Sequence, residues 1–151
     1  MTRRVFAAAL LLIPAARAVG KPDFSGEWKL NPGKSDFGPI PPPSSQTQTV
    51  DYNDPLLKVL TKQSAADGDS TTDATYSTDG KETHYDYRGT PVAATSHWDG
   101  DTLVIDSKVE AIGATIKAAW KLGEDGKTMT IHTKISTAQG EFEIHSLFEK
   151  Q

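Results

Sequence analysis

The sequence has no cysteine, no long hydrophobic run and no excess of positive charge. None of its 151 residues is cysteine, so the fold stands without disulfides, and the cysteine that carries a bacterial lipid anchor is missing. Sixteen basic and 20 acidic residues give a formal net charge of −4. Nucleic acids and anionic membrane surfaces are approached by basic patches. We therefore expect neither nucleic-acid binding nor a membrane anchor, and we expect a monomer.

The motifs of common active sites are missing as well. The sequence has no nucleophile elbow, no phosphate-binding loop and no acid pair set among apolar residues. Asp67, Asp69 and Asp73 lie in and beside a turn, but they lack the glutamate-terminated loop of an EF-hand and are interpreted as a solvated turn. No catalytic residue and no cofactor are predicted. An enzyme of unknown chemistry stays open as an alternative.

Residues 1–18 have the pattern of an export signal. Arg3 and Arg4 precede an uncharged apolar stretch at 5–13, and Ala-Arg-Ala at 16–18 is a small-x-small cleavage pattern. The stretch is far shorter than the roughly 20 residues that span a bilayer. The paired arginines also resemble a twin-arginine signal, and an ordinary secretory signal is the other interpretation. We predict a periplasmic or secreted protein.

The remaining residues 19–151 are predicted to form one domain, because a chain of this size builds a single core. Its most unusual segment is a proline-rich arm at residues 31–45, with five prolines and two glycines. That density excludes a helix or a paired strand. An ordered arm is expected because Phe37 and Ile40 give it apolar surface to bury, and a disordered linker is the alternative.

From residue 46 onward, short alternating stretches rich in Thr, Val, Ile, Tyr and Trp are separated by turn signals such as Asp-Gly. About ten strands are predicted, at 26–30, 46–53, 56–64, 70–78, 81–87, 91–98, 102–110, 114–122, 127–136 and 141–149. Strands joined consecutively by tight turns form a meander. The fold class is therefore all-β, an up-and-down antiparallel β-barrel of about 8–10 strands, because closure removes exposed edges. Two stacked sheets are the alternative.

The turn positions also predict strand registers. A hairpin at Asp125-Gly126 places Trp120 opposite Ile131 and sorts an apolar face from a polar face on both strands. A hairpin at Asp99-Gly100 places Trp98 and Leu103 on one face. A hairpin at Asp79-Gly80 groups Thr72, Ala74 and Tyr76 with Thr83, Tyr85 and Tyr87.

The inward face of the predicted barrel combines aromatic with small side chains. Aromatic groups supply apolar contact, small residues leave room, and hydroxyls orient a polar end of a ligand. A packed core is the other interpretation, but ten strands enclose more space than these residues fill. The predicted ligand-binding residues are Tyr76, Tyr85, Tyr87, Trp98, Trp120, Ile131, Thr133, Phe142 and Ile144.

Four histidines are candidates for metal ligation. In the predicted register His132 and His145 are cross-strand neighbours, close enough to share a metal. Both point outward, and further ligands are limited to Glu143 or Asp86 at unknown distance. Solvated surface histidines are the preferred interpretation, so no metal is predicted. Haem would need an interior ligand, and no histidine is predicted inside.

Three short motifs resemble the calycin superfamily, and the fatty-acid-binding proteins most closely. They are Phe-Ser-Gly-Glu-Trp-Lys-Leu at 24–30, Trp-Asp-Gly at 98–100 and Phe-Glu-Lys at 148–150. The resemblance implies a lipocalin-like barrel whose Trp28 closes one end. In the fatty-acid-binding proteins a helical lid occupies the position of the arm. The Arg-x-Tyr carboxylate clamp of those proteins would fall at Ser146 and Phe148 of this sequence. The arm and the turn at 124–128 are also similar to uncharacterised exported lipocalin-like bacterial proteins.

These observations predict an exported binding protein that carries a small apolar ligand inside the barrel. The alternative is a structural or interaction protein that uses the outer barrel face or the prolines at 39–43, because proline-rich segments dock into aromatic grooves.

Overall fold

A computed structural model describes residues 21–151, so the predicted signal at 1–18 lies outside the described residues. The ten strands are β1 (Gly26–Leu30), β2 (Ser45–Asn53), β3 (Leu56–Ala65), β4 (Gly68–Ser77), β5 (Thr83–Tyr87), β6 (Thr90–Asp99), β7 (Thr102–Val109), β8 (Ala114–Leu122), β9 (Thr128–Thr137) and β10 (Gly140–Lys150). Short 3-10 turns occupy Pro32–Lys34 and Glu110–Ile112. Within this part of the chain, no helix has the length and apolar character needed to cross a bilayer.

All ten strands belong to one antiparallel sheet in the order β4-β3-β2-β1-β10-β9-β8-β7-β6-β5. Strands that follow one another in sequence pair, except β4 and β5, and β1 also pairs with β10, which joins the two halves of the chain. The sheet thus curls into a nearly closed barrel with up-and-down topology. This confirms the predicted all-β meander and fixes the strand number at ten.

The registers predicted for the last three strands are confirmed. Trp120 lies opposite Ile131, and Phe142 lies opposite Ile135. The loop between β8 and β9 is longer than two residues, since the last ladder bond runs from the Gly123 amide to the carbonyl of Thr128 at 2.8 Å. The predicted register is nevertheless correct, because the four-residue loop brings the same residues of β8 and β9 opposite each other as a two-residue turn would.

The predicted hairpin at Asp79-Gly80 is wrong. β4 and β5 sit at the two ends of the sheet order, and no ladder joins them in the described structure. The turn is held by other elements instead: the Thr78 amide donates to the carbonyl of Pro55 at 2.8 Å, and the Gly80 amide donates to Ser96 at 3.0 Å. Both amides donate to residues outside β4 and β5. Since no ladder joins these two strands, a gap remains in the barrel wall.

One end of the barrel is filled by an aromatic plug, which consists of Phe24, Trp98 and Trp120. The Phe24 ring is fully buried, stacks on Trp98 at 6.0 Å between ring centroids and meets Trp120 edge-on at 5.7 Å. Trp28 is also buried, and its Nε1 donates to the carbonyl of Phe24 at 2.9 Å. Large side chains therefore close this end, and Trp28 holds the backbone that positions Phe24.

The proline-rich arm lies against β10. The Asn31 amide donates to the carbonyl of Leu147 at 2.8 Å, and Asp36 and His145 exchange two backbone hydrogen bonds of 2.7 Å each. Phe37 packs against the core, while Ile40 stays exposed. The expectation that the arm contains neither helix nor pairing is thus corrected: Pro32 fits the first position of a 3-10 turn, and one β-bridge forms at Asp36.

Candidate functional site

The half of the barrel away from the aromatic plug contains two adjoining cavities. The inner cavity, about 280 Å³, lies between β2–β5 and β7–β9. The arm cavity, about 310 Å³, lies beneath the arm between β2 and β10. The two share six lining residues, so they are parts of one interior space; the shared residues are Gln46, Gln48, Gln63, Tyr87, Ile131 and Thr133.

Seven of the predicted ligand-binding residues lie at this space. Six line the inner cavity: Tyr76, Tyr85, Tyr87, Trp120, Ile131 and Thr133. Ile144 lines the arm cavity. Alternation along the strands places all of these side chains on the inward face, as the period-2 pattern requires.

Trp98 and Phe142 line neither cavity. Trp98 belongs to the aromatic plug and also meets Tyr52 edge-on at 6.1 Å. Phe142 lies two residues from the start of β10, at the rim of the barrel, where its side chain is partly exposed. Both residues are on the inward face, Trp98 at the plug and Phe142 at the rim opposite Ile135, which does line the arm cavity.

Three glutamines of β2 and β3 line the cavities and were missed from the sequence. Gln46 Nε2 donates to Gln63 Oε1 at 2.9 Å across the two strands. Gln48 is buried, and its Oε1 has no hydrogen-bond partner within residues 21–151. The available signal was the alternation itself, because Gln46 and Gln48 share the parity of the core residue Val50 on β2.

The interior is polar in places but uncharged. No Asp, Glu, Lys, Arg or His lines either cavity in the described part of the chain. The phenol of Tyr76 also stays neutral, because burial and the neighbouring Tyr85 raise its pKa well above the usual 10.0. A buried unpaired charge would be costly in this setting.

The gap between β4 and β5 is bridged by side chains. Near its middle, Tyr76 and Tyr85 meet edge-on at 5.7 Å between ring centroids. At the arm end, Arg88 Nη1 lies 2.7 Å from Asp67 Oδ2, and Arg88 Nη2 donates to Ser70 Oγ at 3.3 Å. This contact lowers the pKa of the Asp67 carboxyl and raises that of Arg88.

The outer wall carries charged clefts and the four histidines. A cleft of about 560 Å³ along β6–β9 is lined by residues such as Asp106, Lys117 and Lys134, and these mixed charges suit solvent more than an apolar guest. On β9 and β10, His132 and His145 stack with ring centroids 4.1 Å apart. Glu143 lies beside both, with its Oε2 3.4 Å from His132 Nε2 and 3.9 Å from His145 Nε2.

No protein-family model matches the chain, and no curated protein matches it in sequence. Solved structures do match. A secretory abundant heat soluble protein from Ramazzottius varieornatus has a TM-score of 0.64 at 12% identity, over 85% of this chain and 95% of that one. Zebrafish ileal bile acid-binding protein complexed with cholic acid gives 0.61 at 14%, over 85% and 98%.

Echinococcus granulosus fatty-acid-binding protein 1 gives a TM-score of 0.59 at 12% identity, over 84% of this chain and 96% of that one. Each match therefore covers nearly the whole of the described barrel. At these identities the likeness concerns the fold. The chain has the ten-stranded calycin-type barrel fold of the fatty-acid-binding proteins.

Proposed function

We propose that this chain is an exported carrier of a small, neutral, mainly apolar molecule held inside the barrel. The observation that carries the proposal is the uncharged interior space formed by the inner cavity and the arm cavity. Small-molecule sites generally begin at about 300 Å³, so a guest that occupies both cavities has the room it needs. Removing its apolar surface from water supplies about 25 cal/mol per Å².

The lining also indicates the chemistry of the guest. The aromatic and aliphatic side chains favour an apolar body, while the free Oε1 of Gln48 favours one hydrogen-bond donor on it. A carboxylate is disfavoured, because the positions where the family's clamp would fall hold Ser146 and Phe148, and Phe148 is fully buried. The guest we propose therefore differs in charge from the fatty acid or bile acid for which two of the structural neighbours are named.

The arm supports a carrier more than a docking module. Pro43 is buried, and Phe37, Pro41 and Pro43 all line the arm cavity. The apolar face of the arm is thus turned towards the barrel interior. Export rests on residues 1–18 alone, whose basic start, apolar stretch and small-x-small site support a periplasmic or secreted location.

The experiment that tests the proposal is a binding titration with a panel of neutral and carboxylate-bearing apolar fluorophores, preceded by native mass spectrometry of the purified protein for a bound guest. Thr133→Phe fills the point where the two cavities meet, and it should reduce the affinity for a neutral fluorophore at least tenfold. Thr130→Phe is the matched control, since Thr130 lies on the same strand with its side chain exposed.

Equal affinities in the wild type and in Thr133→Phe would refute an interior site. Stronger binding of the carboxylate-bearing members of the panel would instead refute the neutral guest. A protein that purifies without a guest and ignores the whole panel would contradict the carrier proposal itself.

A further inference from the structure

We propose that His132, Glu143 and His145 form a binding site for a divalent transition-metal ion such as Zn²⁺ on the outer wall of the barrel. Together the three residues make up the histidine cluster. It is separate from the interior site, because all three side chains are exposed on the opposite face of the sheet. Nothing in the carrier proposal depends on it.

The strand register brings the three ligands together. His132 on β9 pairs directly with His145 on β10, and direct cross-strand neighbours project from the same face with Cβ atoms about 5 Å apart. Glu143 precedes His145 by two residues, so its side chain emerges on that face as well. Beyond His145 the backbone is fixed by its two 2.7 Å hydrogen bonds to Asp36. The backbone of β10 at His145 is therefore hydrogen-bonded on both sides, to β9 and to the arm.

The distances suit one ion. The candidate ligand atoms all lie within 4.8 Å of one another. Glu143 Oε2 is 3.4 Å from His132 Nε2 and 3.9 Å from His145 Nε2. Tetrahedral zinc with bonds of about 2.0–2.1 Å separates its ligand atoms by roughly 3.3 Å. The site needs only side-chain adjustments: the two stacked rings, now 16° apart in plane, tilt so that both Nε2 lone pairs point at the ion.

Glu143 makes no ion pair with the lysine opposite it. Lys134 is its direct cross-strand partner, but Lys134 Nζ pairs with Glu141 Oε2 at 3.3 Å instead. The carboxylate of Glu143 therefore faces the two imidazoles. Lys34 lines a shallow depression beside them, and its charge should weaken but not abolish cation binding.

The other two histidines show what the cluster adds. His84 lies 3.0 Å from Glu82, and His97 lies 3.9 Å from Asp106, so each has a carboxylate neighbour. Neither His84 nor His97 belongs to a group of three candidate ligands. Within residues 21–151 the histidine cluster is the only such group. Two imidazole nitrogens and one carboxylate oxygen favour Zn²⁺, Ni²⁺ or Cu²⁺ over the oxygen-seeking Ca²⁺ and Mg²⁺. A fourth position stays open to water.

The test is calorimetric titration of Zn²⁺ into the purified chain without an affinity tag. We expect one ion per chain, and His132→Ala and His145→Ala should each weaken binding at least tenfold, since even outer-shell partners of a metal are worth 10- to 100-fold. Glu143→Gln should weaken it in the same direction. His84→Ala and His97→Ala are the matched controls and should leave the affinity unchanged. All of these residues are exposed, so far-UV circular dichroism should be identical.

Two results would overturn the proposal: wild-type binding no tighter than that of His132→Ala, or losses in His84→Ala as large as those in the cluster variants. The cavity-filling variant Thr133→Phe keeps the two proposals apart. It should retain full zinc affinity whether or not it still binds an apolar fluorophore.

Discussion

The two halves of the barrel interior are built from different residues on the same ten strands. The half at the aromatic plug is packed with large side chains such as Phe24, Trp28, Leu103 and Met129, all exposed by 1% or less. The half under the arm is lined by glutamines, threonines and tyrosines around open space. The contrast indicates that one half is closely packed, whereas the other leaves room for a guest.

The largest expected effect would come from opening the packed half. Phe24→Ala removes a fully buried ring that contacts Trp98 and Trp120, and we expect a loss of about 3–5 kcal/mol in the free energy of unfolding. The matched change in the open half is Ile144→Ala. Its side chain already faces a cavity, so we expect only about 1–2 kcal/mol, since fewer packed neighbours are lost. Urea unfolding of both variants measures the difference.

Equal losses in the two variants would remove the contrast between the halves. Ligand binding should distinguish the two variants further. Ile144→Ala enlarges the arm cavity and should change which fluorophores are accepted more than Phe24→Ala does, because Phe24 reaches the inner cavity only through its contact with Trp120.

A smaller effect of opposite sign is expected at Gln48. Its Oε1 is buried without a partner among the described residues, and such a group costs about 1–3 kcal/mol. Gln48→Leu should therefore stabilise the protein, by about 1 kcal/mol, while lowering affinity for a hydroxyl-bearing fluorophore relative to its hydroxyl-free analogue. Gln46→Leu is the control, because it breaks the 2.9 Å bond to Gln63 and should not stabilise. If both variants lower the free energy of unfolding equally, Gln48 Oε1 has a hydrogen-bond partner in solution.

The sequence predicts the face of each residue better than its level along the barrel. Alternation and turn offsets were enough to place Trp120 opposite Ile131, because a hairpin register is local information. The same alternation puts Trp98 on the inward face but cannot say that it packs against Phe24, which is far away in sequence. Phe142 was placed among cavity residues for the same reason.

The gap and the glutamines were missed for different physical reasons. Asp79-Gly80 makes a turn whether or not the strands beside it pair, and here the turn bonds to Pro55 and Ser96 instead. Gln48 was overlooked because a polar residue in an alternating strand normally faces solvent. A cavity reverses that expectation, since polar groups can line space that a guest will fill.

The smallest effect concerns the Arg88–Asp67 pair that bridges the gap at the arm end. Both groups are exposed, so the pair is screened and weak. Arg88 holds the pKa of Asp67 below the usual 3.8. A carboxyl with a lowered pKa in the folded state stabilises the protein above its unfolded pKa, and that contribution disappears as the pH falls through the folded value.

Asp67→Asn should accordingly be slightly less stable than the wild type at neutral pH, and the two should converge as the pH drops below about 4. Urea unfolding midpoints across that range measure the convergence, and added salt should shrink the neutral-pH difference because the pair is exposed. Asp69→Asn is the control, because Asp69 also carries a carboxyl and lies on β4, on the same side of the gap as Asp67. A difference between wild type and Asp67→Asn that grows on acidification would show that the ion pair does not act across the gap as its geometry implies.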